Sequence, residues 1–265
     1  MSRVSKIVSG AAVALAVVLP PAAARAGAPT GGEIMEALEN RNDGQTQISK
    51  VTLEVTPKQG TKRLRELVLM RKEYENVTKL VTFFLAPTDV RDSAFLVFDR
   101  RGADDLRWLY LPAIGQVRQL SAQSDRQSFF GSDFVYEDLT NRDPDLDTHK
   151  LVATQKVNEW DCWVVESTPK NARGLDFATY RTWVWKDANL LVRQEFFDSA
   201  GKVVRRAEVS TVKKIQDIWT WQQVTMTNTK TGSSSKVQLS DVRYNVDVPD
   251  ERFAESQLGR GAPKL

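Results

Sequence analysis

His149 and Cys162 are the only histidine and the only cysteine in the sequence, so acid–base or nucleophilic chemistry would rest on very few side chains. A hydrolytic triad needs its histidine beside an activated serine, yet no G-x-S-x-G elbow occurs, and Gly131-Ser132-Asp133 lacks the second glycine. One histidine among scattered carboxylates makes a weak metal site, so His149 reads as a surface residue. Cys162 lies in the strand-like run WDCWVVE and reads as a buried, inert thiol. A single cysteine also excludes an internal disulfide and a cysteine zinc cluster. Glu137 and Asp138 are adjacent and would project about 100° apart on a helix, which prevents joint acid and base work. They read instead as carboxylates in the first turns of a short helix capped by Ser132 or Asp133. Glycine-rich phosphate loops are absent, and Asn76-Val77-Thr78 matches a glycosylation sequon as three residues often do by chance. The expectation is a protein that is not an enzyme and has no cofactor and no metal.

What the sequence offers in place of catalytic groups is a concentration of aromatic residues between Leu106 and Leu139. The stretch LRWLYLPAIGQVRQLSAQSDRQSFFGSDFVYEDL opens as a strand with Trp108 and Tyr110 on one face. Pro112 and Gly115 break it. A polar run from Ser121 to Ser128 follows, and then Phe129, Phe130, Phe134 and Tyr136, too apolar for an ordinary exposed loop. Two readings fit these rings: plain core packing, or the closing end of a mobile lid (Pro112 to Leu139) over an apolar cavity.

The elements that must position this stretch follow from patterning. Met1 to Ala26 has Arg3 and Lys6, an apolar run from Ile7 to Leu19, and small residues ending at Ala26, the layout of a cleaved export signal. The run is too short for a comfortable membrane span, and no later segment approaches eighteen apolar residues. Gly27 stands where a lipid-attachment cysteine would be needed, so an exported, soluble, unanchored protein is expected. The leader takes three of the 37 basic residues and none of the 34 acidic ones, so the remaining chain balances. Net basicity therefore gives no argument for nucleic acid or anionic membranes.

Residues 27–32 (GAPTGG) read as a flexible linker, and 33–265 as one domain. Ile34, Met35 and Leu38 share the face of a short helix from Glu33 to Arg41. Beyond Gly44 the period changes to two, and roughly a dozen strands can be traced to Tyr244, nearly all joined by short turns. That is a mainly β, antiparallel meander, and a sheet so long must curl or close. The concave wall is assigned to the strands within Asn76–Leu111 and Thr179–Phe197, with Phe83, Leu85, Trp108, Tyr110, Trp183 and Trp185 facing the cavity. Ile114, Phe129, Phe130, Phe134 and Tyr136 complete the expected ligand-binding set from the lid side. A one-residue slip would invert each strand.

The W-x-Y-x-P segment around Trp108, Tyr110, Pro112 and Arg118, then Ser128, Gly131 to Phe134 and Tyr136 to Leu139, and the closing VPDERFAESQL (Val248 to Leu258), resemble the LolA-like family of outer-membrane lipoprotein-sorting proteins. The resemblance implies an unclosed antiparallel β-barrel with a helical lid on its concave side. It implies an apolar cavity for the acyl chains of lipoproteins or other lipids in the periplasm of Gram-negative bacteria. It also implies an inner-membrane transporter of the resistance-nodulation-division type and an outer-membrane acceptor as partners. A monomer without nucleic-acid partners is expected. A sensor of the same architecture, regulating a membrane signalling or transporter protein, is the second function considered; an enzyme using the barrel mouth and a carbohydrate-binding domain are the others.

Overall fold

The computed structural model describes residues 27–263 apart from Ala122, Gln123 and Asp125; the expected export signal lies outside the described residues. Helix α1 (Gly31–Glu39) begins two residues earlier than its apolar period indicates, because Thr30 caps it reciprocally with Glu33. Each side chain of that pair satisfies a backbone N–H that a helix start leaves without a partner. The helix is followed by β1 (Thr46–Thr56), β2 (Arg63–Glu73), β3 (Val77–Ala86), β4 (Ala94–Arg100), β5 (Leu106–Leu111) and β6 (Gln116–Gln119). Then come β7 (Asp147–Val157), β8 (Trp160–Pro169), β9 (Thr179–Trp185), β10 (Leu190–Phe197), β11 (Val203–Ile215), β12 (Ile218–Asn228) and β13 (Ser233–Tyr244).

Strand β6 is the one that alternation did not indicate. Gly115, at φ +69°, lets the chain reverse after Leu111, and Trp108 to Leu111 pair with Gln119 to Gln116. The segment expected to be a lid from Pro112 onward therefore starts as a hairpin. Ile114 sits at its turn and is 43% exposed, not part of an apolar enclosure.

All thirteen strands form one antiparallel sheet in the order β6-β5-β4-β3-β2-β1-β13-β12-β11-β10-β9-β8-β7, with β6 and β7 as unclosed edges. Flat, β4 and β11 would stand six spacings apart, about 29 Å. Yet the Tyr136 ring lies 5.1 Å from Phe95 on β4, while Asp138, two residues on, pairs with Arg205 on β11 at 2.7 Å. The sheet is therefore strongly curled, and the segment around Tyr136 lies inside the curl.

The register sorts the faces. Val51 on β1 pairs with Leu67 on β2 and Leu239 on β13, Leu67 pairs with Phe84 on β3, and Val55 reaches Met226 on β12 through Ser235; these apolar residues and Leu53 belong to the inner cluster. The alternate residues Val68, Val81, Phe83, Leu96 and Trp108 form an outer cluster, closed by Val248, Phe253 and Leu258. The last two lie in 3₁₀ turns at Asp250–Phe253 and Glu255–Arg260. Helix α1 packs Ile34 and Met35 on Val165 and Val184, the inner side of β8 and β9. It also reaches Arg101, between β4 and β5, through Glu36 at 2.5 Å, spanning the open side of the curl. A Cβ on Gly31 would stand 2.7–2.8 Å from the β7 backbone at His149 to Leu151, so glycine is what allows this close seat.

Candidate functional site

The site is built where the chain between β6 and β7 crosses the inner face of the sheet. Phe129, Phe134 and Tyr136 are buried there, and Phe130 packs on the same cluster. The rings meet the wall directly: Phe129 and Phe130 lie 5.8 and 4.0 Å from Phe84, and Phe129 and Tyr136 lie 5.9 and 5.1 Å from Phe95. The far side of the curl adds Phe177, Tyr180 and Phe196, mutually within 5.1–6.0 Å. These contacts give tilted and edge-on ring pairs, the favoured aromatic geometry.

Polar ties hold the segment down at three points. The Phe130 carbonyl accepts a short hydrogen bond from the Arg65 guanidinium on β2. Asp133 accepts from the hydroxyls of Ser233 and Ser235 on β13, and its own N–H donates back to Ser235 Oγ at 2.9 Å. Asp138 pairs with Arg205 and also accepts the Val135 N–H at 2.8 Å, so the short 3₁₀ turn Tyr136–Leu139 is capped by Asp138 and not by Ser132 or Asp133. Burial holds the Asp138 carboxyl above the ordinary carboxylate range, against the opposing pull of Arg205. Glu137 pairs with Arg126 at 2.5 Å and Arg142 at 3.2 Å, and Arg142 continues to Asp147, which accepts from the Tyr180 hydroxyl. Phe130 adopts φ +49°, a left-handed conformation that costs a non-glycine residue roughly 1–3 kcal/mol. The ring burial and the Arg65 bond offset that cost.

The structure divides the expected ligand-binding set. Phe129, Phe130, Phe134 and Tyr136 come together on the inner face. Phe83 and Trp108, with the half-buried Leu85 and Tyr110, lie in the outer cluster against the C-terminal turns. Trp183 and Trp185 alternate with the α1-facing Val184 and join Val157, Trp160, Cys162 and Val164 in a third cluster. The Trp185 ring lies 4.8 Å from Trp219. The wall expected on one face is thus shared between faces, and on β3 and β4 the inner rings are Phe84 and Phe95. Both lie in runs apolar on both faces, FFLA and AFLVF, where alternation gives no direction.

Sequence reasoning took Asp133 only as a candidate cap and a motif residue, and it passed over Arg65 and Arg205. Their one signal is the pairing of charged or polar positions with apolar neighbours at period two within strands, Arg65 beside Leu64 and Leu67, Arg205 beside Val204. His149 is half-buried rather than at the surface: its Nε2–H donates to the Pro144 carbonyl at 2.9 Å, and Nδ1 accepts from Ser167 at 2.8 Å. Cys162 is buried as expected, with burial pushing its thiol up to about 11. Among the described residues no group of three or more His, Cys, Asp or Glu side chains is arranged to hold a metal ion, and no helix is long and apolar enough to cross a membrane. Two surface hollows, one beside α1 at Glu36 and Arg41 and one at Lys50 and Arg243, mix charged and apolar lining, and none of the rings Phe129 to Tyr136 lines either.

A family model described as an uncharacterized protein matches residues 76–260 of this chain. No curated protein matches the sequence. Among solved structures, a DUF1329 family protein from Desulfovibrio piger is 28% identical with a TM-score of 0.81, covering 86% of this chain and 97% of its own. A domain named for outer membrane lipoprotein sorting, from Vibrio parahaemolyticus, is 27% identical with a TM-score of 0.81 over 87% of this chain and 98% of its own. A LolA superfamily protein from Nitrosomonas europaea is 20% identical with a TM-score of 0.65, covering 86% of this chain and 98% of its own, and shows the shared fold.

Proposed function

Because the chain belongs to the family matched over residues 76–260 and has the unclosed LolA-like fold, we propose that it is a periplasmic carrier for the acyl chains of lipoproteins or other lipids. The observation that carries this reading is the ring-bearing segment lying inside the curled sheet, tied to the wall at three polar points instead of by a strand or long helix. Opening it would expose four rings at about 1.5–3 kcal/mol each, roughly 6–12 kcal/mol in all. One sixteen-carbon chain leaving water gains about 12 kcal/mol at about 0.8 per methylene. The two are of similar size, so the segment and an acyl chain can compete for the same wall reversibly. A carrier needs that balance, since it must give up its cargo to an acceptor. A transporter of the resistance-nodulation-division type as donor, an outer-membrane acceptor, and a monomeric state complete the proposal.

The test compares Phe130→Ala/Phe134→Ala with Val164→Ala, a truncation in the cluster away from the segment. The double variant is expected to lose bound lipid, measured by mass spectrometry of the purified protein, with a smaller fall in melting temperature than the control. A double variant that unfolds while lipid bound per folded molecule stays constant would make these rings ordinary core.

A further inference from the structure

We propose that the carried amphiphile has an acidic headgroup, and that its oxyanion takes the place of the Asp138 carboxylate on Arg205. The inference rests on the carrier reading and names the chemistry of its cargo. Arg205 projects from β11 into the inner face with its side chain 5% exposed, and its guanidinium lies 4.5 Å from the Phe196 ring centre. Asp138 is its close partner, at 2.7 Å. Asp176 stands 3.6 Å from Nε, itself half in solvent and shared with Arg126. Among the described residues the buried Nε and Nη2 have no hydrogen-bond acceptor, Nε facing Asp176 only at ion-pair distance, so the guanidinium has donors to spare.

Asp138 belongs to the segment that acyl chains would displace, whereas Arg205 belongs to the wall. Movement of the segment therefore leaves a buried guanidinium with only the half-exposed Asp176, 3.6 Å away and shared with Arg126, as counter-charge, an unfavourable state that an incoming anion would relieve. The other wall groups point the same way. Arg65 would lose the Phe130 carbonyl, and Ser233 and Ser235 would lose the Asp133 carboxylate, so each of these wall groups is left with a free donor, although Ser235 Oγ also loses the Asp133 N–H that it accepts. The segment presents rings flanked by two carboxylates, and a molecule that replaces it needs an apolar chain ending in an oxyanion. A phosphate ester and a fatty carboxylate both satisfy this, and a guanidinium binds either in a two-pronged fashion.

The experiment measures affinity of the mature protein for three single-chain probes of equal length: palmitate, palmitoyl-lysophosphatidylglycerol and the uncharged monopalmitoylglycerol. The anionic probes are expected to bind at least about tenfold tighter than the neutral one. Arg205→Gln is expected to bring the ratio of anionic to neutral affinity close to one, and Arg205→Lys to retain part of the preference. Asp138→Asn, which frees the guanidinium, is expected to tighten both anionic probes. Whichever anion binds more tightly identifies the headgroup as phosphate or carboxylate. Equal binding of all three probes by the wild type, or a preference that survives in Arg205→Gln, overturns the assignment and leaves the carrier reading standing. Failure of all three to bind removes both.

Discussion

Asp99 shows how a single carboxyl can set a pH response. It lies on β4 next to Asp105, which is tied to Arg107 at 2.7 Å and to the Arg100 N–H at 3.0 Å, and near Glu39 at the end of α1. Burial, and then repulsion from Asp105 and Glu39, raises its pKa from 3.8 to about 7, against the pull of Arg107 and the Asn141 N–H. An acid held above its ordinary value stabilises the fold fully below its unfolded pKa, and that contribution is lost as pH rises through about 7. Asp99→Asn is therefore expected to stabilise the protein at pH 8 by about 1–3 kcal/mol, some 2–12 °C in melting temperature, and to do little at pH 4. Melting curves across that range check it; an equal effect at both pH values would show that the carboxyl does not titrate in this window.

At the scale of elements, the seat of α1 on β7 separates packing from propensity. Gly31 and Gly32 open the helix side by side, but a Cβ on Gly31 would meet backbone at 2.7 Å while one on Gly32 meets nothing within 4 Å. Alanine is the better helix former at both positions by up to about 1 kcal/mol. Gly32→Ala is expected to be neutral or stabilising, and Gly31→Ala to destabilise by about 1–3 kcal/mol as the helix is pushed off the sheet. Urea denaturation of the two variants decides; similar shifts in both would mean that α1 is not held against β7. Because α1 also reaches Arg101, Gly31→Ala bears on how the curl is closed as well as on one helix.

At the scale of the whole molecule, one sheet carries two apolar faces with different covers. The outer cluster is closed by the C-terminal turns, which are part of the same packing as Phe253 and Leu258, both fully buried. The inner face is covered by α1 over Val165 and Val184 and, across the ring cluster, by a segment held through Arg65, Ser233, Ser235 and Arg205. The proposed carrier role requires export, and cleavage of the leader after Ala26 is expected. N-terminal sequencing of protein from the periplasmic fraction should begin at Gly27; a retained Met1 would contradict this.

The sequence by itself determined the strands, because alternation at period two and short polar turns are local signals: twelve of the thirteen were legible, and β6 was missed since QVRQ carries too little alternation to stand out. It also determined that the rings from Phe129 to Tyr136 needed cover, since four such side chains are costly in water. Tertiary structure alone decided which face is inner. In FFLA and AFLVF both sides are apolar, so nothing local distinguishes Phe83 from Phe84, and the choice fell to pairing partners distant in the chain, Leu67 with Phe84 and Phe95 with Leu109. It alone brought Asp138 to Arg205, 67 residues away, because a charge pair between a loop and a strand leaves no periodic trace in either.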